Sequence, residues 1–279
     1  MPLSTKPAAS LVLAVYNGAG TIRACLDSLL AQTVRIEIIV VDDGSTDQTG
    51  EILATFQEIQ VFHQTHGGPA MARNLAATHT STELLLFVDA DMVFDKNYVR
   101  DLIAPIQSGK AIGTYTTNEQ VGNWGNIWAR CWNWQEGWED QKRFPRNPPK
   151  WGTDFRAILK SEFDKVKGFD HIGYTDTWSL YRKLEIRPLA TRALCYHENP
   201  DTLTGIYRQS RWSAKRPYKY GVCGTLYALL RTTLPVSLVV GSYKSVTHAD
   251  FHFLVFKCVY DFGRFVGILE MLLTGNLTK

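Results

Sequence analysis

Four short runs rich in valine, isoleucine and leucine, separated by segments with helical spacing, constrain most strongly what this chain can fold into. The runs occupy residues 11–16, 36–41, 60–62 and 84–88. Residues 21–32 and 45–56 carry apolar side chains at the three- and four-residue intervals of a helix face. Alternating strands and helices of this kind predict an α/β fold, with a mostly parallel sheet flanked by helices.

Polar residues follow three of these runs: Tyr16-Asn17, Asp42-Asp43 and Asp89-Ala90-Asp91. Parallel sheets bind ligands at the carboxyl ends of their strands, so we expect the three clusters to share one crevice. Carboxylates one residue apart, as in Asp89 and Asp91, can hold Mn²⁺ or Mg²⁺ against a diphosphate. A polar turn that merely closes a strand is the alternative interpretation.

The bulk properties exclude several classes of protein. A chain of 279 residues with 45% hydrophobic content can bury a full core, and a net charge of +3 gives no indication of nucleic acid binding. The five cysteines are scattered, which predicts neither a zinc site nor a disulfide framework. The first ten residues do not read as a secretion signal. We therefore expect a cytoplasmic protein.

Gly18-Ala19-Gly20 after the first run, with acidic residues further on, makes a dinucleotide-binding oxidoreductase the main rival interpretation. Arg23 stands where the third glycine of that fingerprint would lie, and such an enzyme gives Asp89 and Asp91 no role. Asp43 at its strand end could instead accept the ring N–H of a nucleobase. Helix capping accounts for Ser45 and Thr46 only.

Four motifs in order resemble the nucleotide-binding half of glycosyltransferase family 2: LAVYN at 13–17, VVDDGSTD at 40–47, GPAMARN at 68–74 and FVDAD at 87–91. GFD at 168–170 and YTD at 174–176 extend the resemblance to about residue 212. The resemblance implies a GT-A fold and inverting, Mg²⁺- or Mn²⁺-dependent transfer from a nucleotide sugar.

The resemblance also implies roles for residues near the donor. Asp43 would bind the base, Arg73 would lie near the nucleotide, and Asp91 would hold the metal, assisted by Asp89 and completed by His197. Ala14 stands where the family usually has proline. The full set of expected nucleotide-sugar contacts is Ala14, Val15, Tyr16, Asn17, Asp42, Asp43, Arg73, Asp89, Ala90 and Asp91.

On the acceptor side, relatives commonly carry Glu-Asp where this chain has Thr175-Asp176. One acid remains, and we predict Asp176 as the general base that takes the acceptor proton. The alternative role for Asp176 is an N-cap of a helix over 178–184. Arg208, Arg211 and Trp212 resemble the Gln-x-x-Arg-Trp motif of processive synthases, with arginine in place of glutamine. We expect them to contact the acceptor or the diphosphate, without processive synthesis.

The C-terminal part, 222–273, is the most apolar, but Arg231 and Pro235 interrupt the stretch that approaches bilayer-spanning length. We expect 222–279 to form an apolar helical segment at a membrane interface. Residues 1–221 would form the GT-A domain, with nucleotide-sugar binding in 1–117 and acceptor binding in 118–221. The tryptophans crowded over 124–151 predict a packed helix face.

Together these features predict a metal-dependent, inverting glycosyltransferase of the hexosyltransferase type. The expected donor is a UDP-sugar, and the expected acceptor is a hydroxyl or phosphate, lipid-linked or on a glycan. The expected location is the cytosolic face of a membrane, with a homodimer left open. The alternatives are the dinucleotide-binding oxidoreductase and a non-catalytic nucleotide-sugar-binding protein.

Overall fold

A computed structural model describes residues 6–275 and 277, with the backbone alone for Thr175. The described strands are β1 (Ser10–Val15), β2 (Glu37–Asp42), β3 (Gln60–His63), β4 (Leu84–Asp89), β5 (Met92–Phe94), β6 (Gly113–Val121), β7 (Ala157–Leu159) and β8 (Leu189–His197). The described helices are α1 (Ile22–Leu30), α2 (Thr49–Leu53), α3 (Pro69–Thr78), α4 (Tyr98–Gln107), α5 (Ile127–Glu136), α6 (Lys160–Lys165), α7 (Trp178–Leu184), α8 (Leu203–Ser213), α9 (Gly221–Arg231), α10 (Leu234–Thr247) and α11 (His252–Thr274).

The strands form one sheet in the order β3-β2-β1-β4-β7-β6-β8-β5. The first four strands of this order are parallel, which confirms the α/β prediction. The register aligns their carboxyl ends, because Val15 pairs with Asp42 and Ala14 pairs with Asp89. The other half departs from the expected mostly parallel sheet: β7 is antiparallel to β4 and β6, and β5 is antiparallel to β8. The sheet is therefore mixed.

Apolar side chains cover both faces of the parallel strands. Leu11 and Leu13 of β1 belong to a core cluster that includes Leu26 of α1 and Leu102 of α4. Val12 of β1 points into a second cluster. That cluster contains the small residues Ala70, Ala72 and Ala76 of α3, and the aromatic residues Phe87 and Phe163. Burial on both faces of β1, β2 and β4 explains why these strands are mostly apolar rather than alternating, whereas the edge strand β3 is partly exposed.

The chain divides into two compact units, and the division differs from the expected boundary at residue 221. The first unit comprises Met1–Gln120, Arg146–His171 and Asp176–His197. The second comprises Val121–Pro145, Ile172–Thr175 and Glu198–Lys279. The sheet belongs to the first unit, whereas α5 and α8 to α11 belong to the second.

The second unit is held together by α11, whose apolar face packs against α5 and α8. The cluster contains Trp132 of α5, Ile206 of α8, and Phe253, Phe256 and Tyr260 of α11. Trp128 and Trp134 of α5 and Trp138 just beyond it pack at its border. The predicted packed helix face is therefore found on α5, whereas Trp151 is exposed. The apolar residues of α11 thus draw segments that are distant in sequence into one unit.

No single helix in the described part of the chain is long and apolar enough to cross a bilayer. α9 and α10 meet the length and composition criteria only as a pair, and their axes differ in direction by 63°.

Candidate active site

Two loops at the carboxyl ends of β1 and β2 are tied together by hydrogen bonds. The backbone N–H of Asn17 donates to the hydroxyl of Ser45 at 2.9 Å, and the side-chain oxygen of Asn17 accepts from the N–H of Thr46 at 2.8 Å. Asn17 has a φ of 50°, in the left-handed region that asparagine tolerates better than most residues. The loop after β1 is therefore fixed against the loop after β2.

The carboxylate of Asp43 is buried and accepts several hydrogen bonds from the loop that follows β3. One oxygen accepts from the N–H of Gly67 at 2.8 Å and from the side chain of Gln64 at 2.6 Å. The other accepts from the N–H of Gly68 at 2.9 Å and lies 2.9 Å from His66 Nδ1. The ring of His66 stacks on Tyr16 with 4.0 Å between centroids. Asp43 fixes this loop, and its contact with a nucleobase stays a prediction.

Asp89 lies between two arginines that come from different parts of the chain. Arg73 of α3 donates to Oδ1 at 2.7 Å, and Arg156, just before β7, donates to Oδ2 at 2.8 Å. Burial alone would raise the pKa of the Asp89 carboxyl, but Arg156 and Arg73 outweigh it and hold that pKa well below its usual range. Asp89 is therefore an ionised carboxylate with both oxygens engaged.

Asp91 and His197 are brought together because β5 pairs with β8. Met92 lies opposite His197 in the register, and Asp91 Oδ1 lies 3.0 Å from His197 Nε2. The other ring nitrogen, Nδ1, lies 2.7 Å from Glu119 Oε1 on β6. A carboxylate on the far side of an imidazole fixes the orientation of the ring and raises its basicity as a ligand.

A divalent cation fits the Asp91 and His197 pair, whereas Asp89 is already occupied by guanidinium groups. Mg²⁺ and Mn²⁺ in phosphate-transfer sites use one or two protein ligands together with substrate phosphates. Within the described residues, no group of three or more His, Cys, Asp or Glu side chains comes together in a metal-binding arrangement. Metal binding by Asp91 and His197 stays a prediction.

Asp176 is 3% exposed and lies 3.5 Å from Arg73 Nη1. Burial raises the pKa of its carboxyl, and Arg73 opposes that shift. The N-cap position of α7 belongs to Thr177, which makes no side-chain capping bond. Arg73 thus connects Asp176 to Asp89, so the predicted base and a carboxylate from the Asp-Ala-Asp motif share one guanidinium.

The sequence interpretation missed three charged residues of this site: Arg156, Glu119 and Asp154. Arg156 donates to Asp89, and its Nη2 lies 3.8 Å from Oε2 of Glu119. Burial would lower the pKa of Arg156, but these two carboxylates outweigh burial and raise it. Asp154 accepts a hydrogen bond from the hydroxyl of Thr177 at 2.8 Å, and burial raises the pKa of its carboxyl. The one signal for Arg156 was its position immediately before the apolar run of β7.

Arg208, Arg211 and Trp212 lie on α8 in the second unit. Arg211 pairs with Glu270 of α11, with 2.7 Å between Nε and Oε2. Trp212 packs edge-on against Tyr174 at 5.0 Å between ring centroids. Both contacts lie within the second unit, and a contact with the acceptor or the diphosphate stays a prediction.

The mixed α/β sheet gathers carboxylates and arginines at the edge where β1, β2 and β4 end, which agrees with the expected GT-A fold. Residues 10–183 match the sequence profile of the family "Glycosyl transferase family 2". The chain belongs to this family. This finding overturns the dinucleotide-binding oxidoreductase as an interpretation of Gly18 and Gly20.

Two similar proteins come from Streptococcus pneumoniae serotype 4. Glycosyltransferase GlyA is 38% identical over 122 residues, which is 40% of this chain and 18% of GlyA. Glycosyltransferase GlyG is 36% identical over 124 residues, which is 41% of this chain and 41% of GlyG. The matched region therefore spans less than half of either relative.

Solved structures share the fold at low sequence identity. Mannosyltransferase PcManGT from Pyrobaculum calidifontis, in complex with GDP-Man and Mn²⁺, has a TM-score of 0.60 and 13% identity, covering 98% of this chain and 89% of its own. A TarS fragment from S. aureus in complex with UDP-GlcNAc has a TM-score of 0.55 and 15% identity, covering 96% and 92%. These matches confirm the GT-A fold.

Proposed function

We propose that this protein transfers a sugar from a nucleoside diphosphate sugar to an acceptor hydroxyl, with inversion at the anomeric carbon. The observation that carries the proposal is the buried Asp176 carboxylate beside Arg73, which also holds Asp89. An in-line displacement requires a base beside the attacking hydroxyl and, on the opposite side of the anomeric carbon, groups that stabilise the departing diphosphate.

In the proposed reaction, Asp176 accepts the proton of the acceptor hydroxyl as its oxygen attacks the anomeric carbon. The bond between that carbon and the diphosphate oxygen breaks, and its electron pair leaves with the diphosphate. The raised pKa of Asp176 suits it to hold this proton. Arg73 keeps the carboxylate oriented and close to Asp89.

The charge of the site supports a requirement for a divalent cation. The site contains five carboxyl groups, those of Asp89, Asp91, Glu119, Asp154 and Asp176, and two guanidiniums, those of Arg73 and Arg156. Acids in excess would repel a diphosphate unless a cation lay between them. Mn²⁺ or Mg²⁺ held by Asp91 and His197 would neutralise charge on the departing diphosphate.

For the donor, we propose a UDP-linked hexose. The fold neighbours include one solved with UDP-GlcNAc and one solved with GDP-Man, so the base has to be tested. For the acceptor, we propose a hydroxyl on a lipid-linked or glycan molecule. The basic residues that precede the apolar helices support a lipid-linked one.

The test is calorimetric titration with UDP, GDP and NAD, each with and without Mn²⁺, followed by an assay of diphosphate release from the matching nucleotide sugars. We expect Mn²⁺-dependent binding of UDP and turnover of a UDP-hexose with an acceptor. Binding of GDP alone would replace the uridine assignment. Binding without turnover across donors and acceptors would favour a non-catalytic nucleotide-sugar-binding protein, and no metal-dependent binding would overturn the proposal.

A further inference from the structure

Helix α10 exposes an apolar stripe. Its exposed residues follow one another at intervals of one and three, and most are apolar: Leu234, Pro235, Leu238, Val239, Ser242, Tyr243, Val246 and Thr247. Val239 is 71% exposed and Val246 is 81% exposed. A helix on the surface of a water-soluble domain normally turns such a stripe toward the core. The outward stripe of α10 is therefore the reverse of the usual pattern.

The inward face of α10 is small and polar. Ser237, Gly241 and Ser245 are its buried residues. The hydroxyl of Ser237 donates to Asp261 of α11 at 2.7 Å, and Asp261 also accepts from Lys257 at 2.9 Å. Small residues at helix contacts and charged groups turned toward the interior are typical of helices surrounded by lipid.

Helix α9 carries a similar exposed stripe. Val222, Cys223, Leu226, Tyr227 and Leu230 are all exposed. The guanidinium of Arg231 lies 5.7 Å from the ring centroid of Tyr227. Tyrosine and arginine side chains with an apolar body and a polar tip favour the boundary between lipid and water.

The charge of this part of the chain has a single sign. Residues 202–249 contain no Asp or Glu and seven basic residues: Arg208, Arg211, Lys215, Arg216, Lys219, Arg231 and Lys244. Arg211 and Lys215 pair with Glu270 of α11, and Lys244 donates to a backbone carbonyl of α5. The side chains at the surface are those of Arg208, Lys219 and Arg231, with Arg216 partly exposed. Such a segment is attracted to anionic lipid headgroups. The same charge disfavours a second copy of this face as the partner, because like charges would be brought together.

The lengths of the helices indicate how deeply they could insert. α9 has 11 residues and α10 has 14, which corresponds to roughly 16 Å and 21 Å at about 1.5 Å per residue. A bilayer core is about 30 Å thick. With a bend of 63° between them, these helices suit the interface rather than a crossing.

We propose that α9 and α10 bind the surface of an anionic lipid bilayer, with the exposed apolar stripes among the outer acyl segments and the basic side chains at the headgroups. This attachment is separate from sugar transfer and is tested without any catalytic assay. The partner is the lipid surface itself.

The test uses the full chain with vesicles of phosphatidylcholine alone or mixed with phosphatidylglycerol. Cys223, the exposed cysteine, carries an environment-sensitive dye. The test variant is Leu238→Gln with Val239→Gln, and the matched control is Leu30→Gln with Ile186→Gln, which changes two exposed apolar residues of the first unit. Circular dichroism establishes that both variants are folded.

We expect binding to the anionic vesicles, a blue shift of the dye, and release by high salt. The L238Q/V239Q variant should bind about tenfold or more weakly, because apolar side chains no longer enter the lipid, and the control should bind like the parent protein. Absence of vesicle binding, or equal binding by both variants, would overturn the proposal. The proposal would also be overturned if the protein formed a dimer without lipid and the L238Q/V239Q substitutions dissociated that dimer. Protection of the dye from water to the extent expected of a spanning helix would overturn it as well.

Discussion

The sheet of the first unit and the α10–α11 pair of the second unit distribute polarity in opposite ways. In the sheet, strands β1, β2 and β4 are buried among apolar side chains, and the charges gather at the strand ends. At the contact between α10 and α11, Lys257, Asp261 and Ser237 are buried, whereas the leucine, valine and tyrosine side chains of α10 lie outside. One chain therefore contains two kinds of packing.

The difference teaches that buried charge serves a separate purpose in each unit. Around Asp89, carboxylates and guanidiniums are concentrated where a ligand would arrive. Arg156 and Arg73 lower the pKa of Asp89 against its burial, whereas burial raises the pKa of Asp176 against the opposing effect of Arg73. Between α10 and α11, one ion pair with a hydroxyl joins two helices. The first arrangement is typical of a reactive site, and the second of a helix contact.

Removal of Arg156 should have the largest effect on stability. Arg156→Met leaves Asp89 and Glu119 without a shared cation, and we expect the free energy of unfolding to fall by about 3–5 kcal/mol. Urea denaturation measures the loss. Arg156→Lys, which keeps the charge, should lose less. Equal losses in the two variants would mean that packing rather than charge holds Asp89.

Removal of Lys257 tests the helix contact in the same way. Lys257→Met leaves Asp261, which is 2% exposed, with the hydroxyl of Ser237 alone, and we expect a loss of about 3 kcal/mol. The double variant Lys257→Met with Asp261→Leu should recover most of it, because no unpaired charge remains. A double variant as unstable as the single one, by urea denaturation, would contradict this account.

Asp176→Asn should reduce turnover by about 10²-fold or more, equivalent to about 2.7 kcal/mol in the barrier. The amide cannot accept the acceptor proton, although it keeps the shape of the side chain beside Arg73. Steady-state kinetics measures turnover, and calorimetry with UDP and Mn²⁺ measures donor affinity. Donor affinity should be nearly unchanged, and retained turnover would remove Asp176 from the mechanism.

The pH dependence of turnover should show the smallest effect, a shifted acid limb. A general base works only when ionised, so turnover falls as pH drops through the pKa of Asp176. Burial raises that pKa, so the fall should occur at higher pH than for an ordinary aspartate near 3.9. Asp154→Asn is the control, since Asp154 also has a raised pKa. If Asp154→Asn moved the acid limb, the titrating group would be Asp154 rather than Asp176, and the prediction would be wrong.

Local pattern predicted the first half of the fold well. The runs at 11–16, 36–41, 60–62 and 84–88 correspond to β1 to β4 within one or two residues, because each is rich in apolar residues and is bounded by turn residues. The short antiparallel strands β5 and β7 gave no comparable signal, since three residues carry little periodicity. α2 is also shorter than the expected helix over 45–56.

The sequence led to several residues that the structure brings together at the candidate site, although their roles stay predictions. Asp89, Asp91, Arg73, Asp176 and His197 all lie together in the first unit, at the positions where their motifs end strands or begin helices. The occupation of Asp89 by two arginines was not predicted. Arg156 reaches it across 67 residues of sequence, and no local spacing encodes such a contact.

The sequence by itself determined the family, the α/β alternation and the identity of the acidic clusters, because these depend on periodicity and on residue type at short range. Only the tertiary structure decided which carboxylate pairs with which cation, and that the apolar stripe of α10 faces outward. The physical reason is that charge pairing and burial depend on distances in space. Those distances are set when β4 meets β7, β5 meets β8, and α10 meets α11.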